Sequence, residues 1–226
     1  MTKIGDAAAG RLELLIAARK VADFANSDGL QKSQARVRAH YRHLGALLAD
    51  SILQAGLNYS TVVRPRIERI LATYPYATTT ETLLEIVNSG EVGSFLNWKH
   101  PTKIDRFIRL VGTLADLGVE GIDDLRTSLR SGDFSERLRQ LNGIGPKTID
   151  YMSCLAGDES IPVDRHIRAF ALRAGVEGDD YYYLKNTFCF AADLLSVSRR
   201  EFDAWIWQRE SSRNIRNDQL GFYFCA

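Results

Sequence analysis

LRQLNGIGPKTIDYMSCLAG, residues 138–157, decides how the rest of the chain is read. Its apolar positions fall at helical spacing on both sides of a break made by Gly143, Gly145 and Pro146, and the second helix restarts with Lys147 almost at its head. A helix dipole disfavours a positive charge at that end, so some other requirement places the lysine there. Glycine permits positive φ and removes the side chains that keep a bulky ligand off the backbone. Proline suits the first position of a helix, where its missing N–H would be unpaired in any case. The stretch therefore predicts a tight helix–turn–helix whose exposed amides, at a helix N-terminus, suit a phosphate-sized anion. Lys147 then stands beside that anion. A plain helical hairpin with a glycine turn and an exposed lysine fits the same residues.

The next informative stretch is SIPVDRHIRAF, residues 160–170. Pro162 and Val163 read as an extended approach, and Asp164 as the N-cap of a helix through Ile167 and Phe170. As a cap alone it is worth about 1 kcal/mol. A carboxylate in that position is favoured in its charged form by the dipole and the amide donors.

Outward from these stretches, nearly every segment reads as helix, and no convincing alternation of period two occurs. HYRHLGALLADSILQAG, VVRPRIERILATYP, TTTETLLEIVNSG and PTKIDRFIRLVGTLADLG carry apolar residues at helical spacing, with glycine, proline or threonine near their ends, and the tail segments LKNTFCFAADLLSV and RREFDAWIWQRESS also read as helices. The expected class is all-α. The first 26 residues place leucines beside Arg11, Glu13, Arg19 and Lys20 in the manner of an amphipathic surface helix, with no apolar core of signal-peptide type. No later run approaches membrane-spanning length, so a soluble protein in a reducing compartment is expected.

Net charge over the 226 residues is only +1, which does not announce a polyanion binder, although basic residues cluster: Lys99, Lys103, Arg106 and Arg109; Arg137, Arg139 and Lys147; Arg165 and Arg168. Cys154, Cys189 and Cys225 are too few for a four-thiolate site and read as buried thiols. His40 and His43 have a metal-like spacing without further ligands, so capping or solvated histidines are expected and no metal site.

Residues 141–175 resemble the helix-hairpin-helix signature of the endonuclease III superfamily of DNA glycosylases. That family's pattern, roughly L-P-G-[VI]-G-x-K-T-A followed by V-D-T-H-[VI]-x-R, stands here as Leu141-Asn142-Gly143-Ile144-Gly145-Pro146-Lys147-Thr148-Ile149 and Val163-Asp164-Arg165-His166-Ile167-Arg168. Asn142 replaces the usual proline and Ile149 a small residue. The four-cysteine cluster of many members is missing, which implies a clusterless branch without iron–sulfur or other cofactor, save a monovalent cation at the hairpin carbonyls. The resemblance implies a two-lobed helical architecture: a central bundle over 41–159 ending in the hairpin, and a second lobe from 1–40 plus 160–226. It also implies a monomer acting on double-stranded DNA, away from membranes, in the cytoplasm or nucleoid of a prokaryote or the nucleus of a eukaryote. Candidate DNA contacts are Gly143, Ile144, Gly145, Thr148, Arg165 and His166. In QAGLNYS, Gly56 falls where some members carry a gap-filling glutamine, leaving Asn58 or Tyr59 for that task.

The chemistry suits the two charged residues. Breaking the bond between C1′ and a base nitrogen builds oxocarbenium character, which a fixed carboxylate, Asp164, would stabilise. A neutral amine, Lys147, could attack C1′ to form a Schiff base, and β-elimination would then cut the strand. A bifunctional glycosylase and AP lyase is the leading expectation. Excision by activated water, with Lys147 gripping phosphate, and a non-catalytic DNA-binding module are the alternatives.

Overall fold

The computed structural model describes residues 2–30 and 40–221, with side chains over 10–30 and 40–213. Among them every regular element is helical: α1 Thr2–Ser27, α2 Leu44–Leu53, a π-helical turn Tyr59–Val63, α3 Arg64–Thr73, α4 Thr80–Asn88, α5 Val92–Leu96, α6 Pro101–Asp116, α7 Ile122–Leu129, α8 Gly132–Arg139, α9 Pro146–Ala156, α10 Arg165–Arg173, α11 Tyr181–Leu195 and α12 Arg199–Gly221. The all-α expectation holds. No described helix is long and apolar enough to cross a membrane. The chain forms two compact units, residues 39–158 and residues 1–38 with 159–226.

In the unit of residues 39–158, α2 is the central element. Its sequence, LGALLADSIL, is apolar on nearly every side, and all ten residues are buried, with α3, α6 and α9 packed around it. The helix begins later than the apolar pattern suggests because His43 caps it. His43 Nδ1 accepts from the Ala46 amide at 3.0 Å and Nε2 donates to the Tyr74 carbonyl at 2.8 Å, which leaves 40–43 outside the helix. Gly45 is required by close approach, since a Cβ there would lie 2.9 Å from the Phe95 ring and 3.0 Å from the Ala77 carbonyl. Thr79 opens α4 through a reciprocal capping box with Thr82, as its threonines predict. The short α5 and the π-helical turn are below what apolar spacing can resolve.

The second unit is built from α1 and α10–α12 around Phe170. That ring meets Phe24 at 5.0 Å, Trp205 at 5.6 Å, Phe188 at 6.1 Å and Phe202 at 6.4 Å, all edge-on. The amphipathic reading of α1 needs correction. Ala17, Ala18, Val21, Ala22 and Ala25 are buried against the core, while Leu12, Leu15 and Ile16 are exposed. α1 lies along α11, and a small-residue face lets two helices approach where leucines would hold them apart. The end of α1 is tied down by Asp28, whose carboxylate accepts from Arg209 at 2.9 Å and pairs with Arg213 of α12.

Candidate active site

The turn between α8 and α9 is built as its glycines predict. Gly143 lies at φ +82°, and the Ile144 amide donates to the Leu141 carbonyl at 3.0 Å, which closes the bend. Ile144 is buried in the core and anchors the turn from beneath, while Gly143 is exposed. Gly145 is the N-cap of α9, its carbonyl accepting from the Thr148 and Ile149 amides. A Cβ on Gly145 would meet nothing within 4 Å, so this edge of the turn is open. Among the described residues no acceptor is recorded for the amides of Gly143, Gly145 and Lys147. Three unmatched donors at a helix N-terminus make a site for negative charge.

Arg106 of α6 completes this edge. Its Nε donates to the Asn142 carbonyl at 2.9 Å, and its guanidinium occupies the space over Gly143, 1.9 Å from where a Cβ would sit. Lys103, one turn earlier on α6, has a different task. Its Nζ donates to the carbonyls of Ile52, Leu53 and Ala55 at 2.8, 3.3 and 2.9 Å, capping α2. Burial, with the charge of Arg106 second, lowers it to about 8.

Lys147 is half-buried, and its Nζ donates to Gln54 Oε1 at 3.1 Å. One helical turn along from each partner lies a second bridge: Tyr151 of α9 donates at 3.0 Å to Asp50 of α2. Asp50 is fully buried and also accepts from Tyr41 at 2.7 Å and Tyr59 at 3.3 Å. Three O–H donors suit an ionised carboxylate out of water. Burial, and then the charge of Asp50, push the Tyr41 hydroxyl far above its usual range. None of Asp50, Gln54, Tyr41 or Tyr151 stands out in the linear motif. The one signal in the sequence is a single carboxylate in an otherwise apolar helix, with Gln54 four positions on.

Asp164 belongs to the other unit. It caps α10, with Oδ1 accepting from the amides of His166 at 2.8 Å and Ile167 at 3.0 Å. Both bonds end on the same oxygen, and the carboxylate is half-exposed. Arg165 is exposed, with its Nε 3.4 Å from His166 Nε2. His166 is buried, its ring edge-on to Trp207. Arg168 is held by Asp179 at 2.9 Å. Trp205 lies in the core and Trp207 is partly exposed.

The remaining candidates are in the unit of residues 39–158. The Thr148 side chain is buried. Tyr59 turns inward to Asp50, whereas Asn58 is exposed and caps the π-helical turn by accepting from the Thr61 amide at 3.1 Å. Of the three cysteines, Cys154 is half-buried, not fully buried as expected, Cys189 is buried, neither forms a disulfide, and Cys225 lies outside the described residues. Among the described residues no three His, Cys, Asp or Glu side chains cluster as metal ligands would. No protein-family model matches the chain, and no curated protein matches it.

Proposed function

We propose that this protein is a two-lobed helix-hairpin-helix DNA glycosylase with AP lyase activity, in which the 140–145 turn grips a backbone phosphate and Lys147 is the nucleophile. One observation carries the reading: a buried isoleucine anchors a glycine turn whose amides lack acceptors, and an amine stands in the first turn of the helix that follows. A phosphate supplies those acceptors, and the dipole of α9 adds to the attraction. Arg106 beside Asn142 adds a fixed positive charge to the same edge.

The chemistry follows from the groups at hand. A base leaves the stack before it can be reached, at a cost of a few kcal/mol that is smallest for damaged or mismatched bases. As the C1′–N bond breaks, the base departs with the bonding pair, and Asp164 stabilises the positive charge left on the sugar. The Nζ lone pair of Lys147 bonds to C1′, the sugar ring opens with its O4′ taking a proton, and a Schiff base results. Loss of a proton from C2′ then expels the 3′ phosphate.

Borohydride reduction during incubation with a duplex carrying an abasic site should trap a covalent protein–DNA adduct. Lys147→Ala should abolish the adduct. Asp164→Asn retains a capping side chain and should lower base release on the order of 100-fold while DNA binding persists. An adduct that survives in Lys147→Ala removes that lysine from the nucleophile role. Base release without any adduct in the unaltered protein would leave Lys147 as a phosphate contact and water as the attacking group.

A further inference from the structure

Gln54 is the C-cap residue of α2, and its side chain reaches Lys147, 93 positions away in sequence. An ammonium offers only donors, so the amide turns Oε1 toward it and Nε2 away. That Nε2 is buried and donates to no group among the described residues. A native chain rarely leaves such a donor unmatched unless something else brings the acceptor.

The bridge is also fixed in place. Asp50 and Gln54 stand four apart on α2, and Tyr151 and Lys147 four apart on α9, so the bonds 50–151 and 54–147 form two rungs between the helices. The Asp50 rung is locked by two further tyrosines. Gln54 therefore cannot leave Lys147 by a shift of α2 without breaking a buried carboxylate network. A glutamine also holds an amine without adding charge. A glutamate in its place would tighten the grip and favour the ammonium form, which cannot attack.

We propose that Gln54 is the positioning residue of the Lys147 amine and, resting on the glycosylase and lyase reading above, that its Nε2 donates to an acceptor atom of the nucleoside near C1′. Sugar or phosphate oxygens and the acceptor edge of the base share this chemistry.

The test uses Gln54→Glu and Gln54→Met, which keep the length of the side chain. Competitive trace acetylation of Lys147, followed by peptide mass analysis across pH, reads the amine without DNA. Gln54→Glu should move its titration toward alkaline pH by about one unit. The other ionisable groups on α9 and the helices packed on it, namely Asp50, Asp123, Asp124, Arg126, Asp133, Glu136, Arg137, Arg139, Asp150, Tyr151 and Cys154, are unaltered by the substitution. A shift therefore reads the new charge at 54, and an unmoved profile overturns the positioning role whether or not the protein cleaves DNA. Gln54→Met should weaken duplex binding about 10-fold, the value of one lost hydrogen bond to a buried donor. Equal loss on a tetrahydrofuran abasic analogue and on a base-bearing duplex assigns the acceptor to sugar or phosphate, and loss on the base-bearing duplex alone assigns it to the base. Unchanged affinity on both overturns the recognition role. Absence of a borohydride adduct in the unaltered protein defeats the lyase reading and leaves the acetylation result standing.

Discussion

At Gly143 the backbone lies in the left-handed region, and the Arg106 guanidinium fills the place where a side chain would begin. Gly145, two positions on, has φ −101° and open space beside it. The two glycines therefore answer to different demands, and alanine separates them. Gly143→Ala is expected to lower stability by at least about 1 kcal/mol, through strain and displacement of Arg106. Gly145→Ala, which meets no clash and loses only the N-cap preference for glycine, should lower the unfolding free energy by less than about 1 kcal/mol but weaken duplex DNA binding, because its methyl intrudes on the open edge. Equilibrium unfolding and a binding titration on the same two proteins check both statements. If both glycines serve only the bend, Gly145→Ala will bind as before.

Between helices, polar groups buried in an otherwise apolar interface determine how elements meet. Asp50 joins α2 to Tyr151 of α9, to Tyr59 of the π-helical turn and to Tyr41 ahead of α2. Asp50→Ala removes the acceptor from three hydroxyls and is expected to cost about 3 kcal/mol, measurable by urea unfolding. Tyr151→Phe, which removes one donor, should cost less than half of that. A second polar joint ties α1 to α12 in the other unit. The bond from Arg209 holds the Asp28 carboxyl below its usual 3.8 despite the opposing effect of burial. A carboxylate held low contributes stability above its unfolded value, and that contribution disappears as pH falls through the folded value. Asp28→Asn should therefore be less stable near pH 7 by about 1 kcal/mol, given that both arginines are more than a third exposed. The gap between the two proteins should close as pH drops below 3.8. Glu210 moves in the opposite sense, raised by its burial and then by the charge of Asp28, so the same substitution should let it ionise at lower pH.

At the scale of the molecule, the two units have separate hydrophobic cores, one centred on α2 and one on Phe170. Phe170→Ala is expected to cost about 3–5 kcal/mol within its own unit. Hydrogen exchange should then accelerate in α1 and α10–α12 while α2, α6 and α9 stay protected; uniform acceleration would mean that the cores unfold together. The net charge of +1 has a structural counterpart. Several of the clustered basic residues are engaged internally, with Arg109 on Asp105, Arg139 on Glu136, Arg168 on Asp179 and Lys103 on the α2 carbonyls.

Helix content, the glycine turn, the proline start of α9 and the cap at Asp164 are legible from the chain alone, because each depends on residues within a few positions of one another. The start of α2 and the inverted face of α1 are not, since His43 needs the Tyr74 carbonyl and the alanines need α11 alongside. The same holds for the partners of Lys147. Gln54 and Asp50 meet α9 across 93 and 101 positions of sequence, a separation over which no local period carries information. Short-range sterics and hydrogen bonding write the helices; the burial of α2 on every side is what forces its few polar groups to find partners on α9.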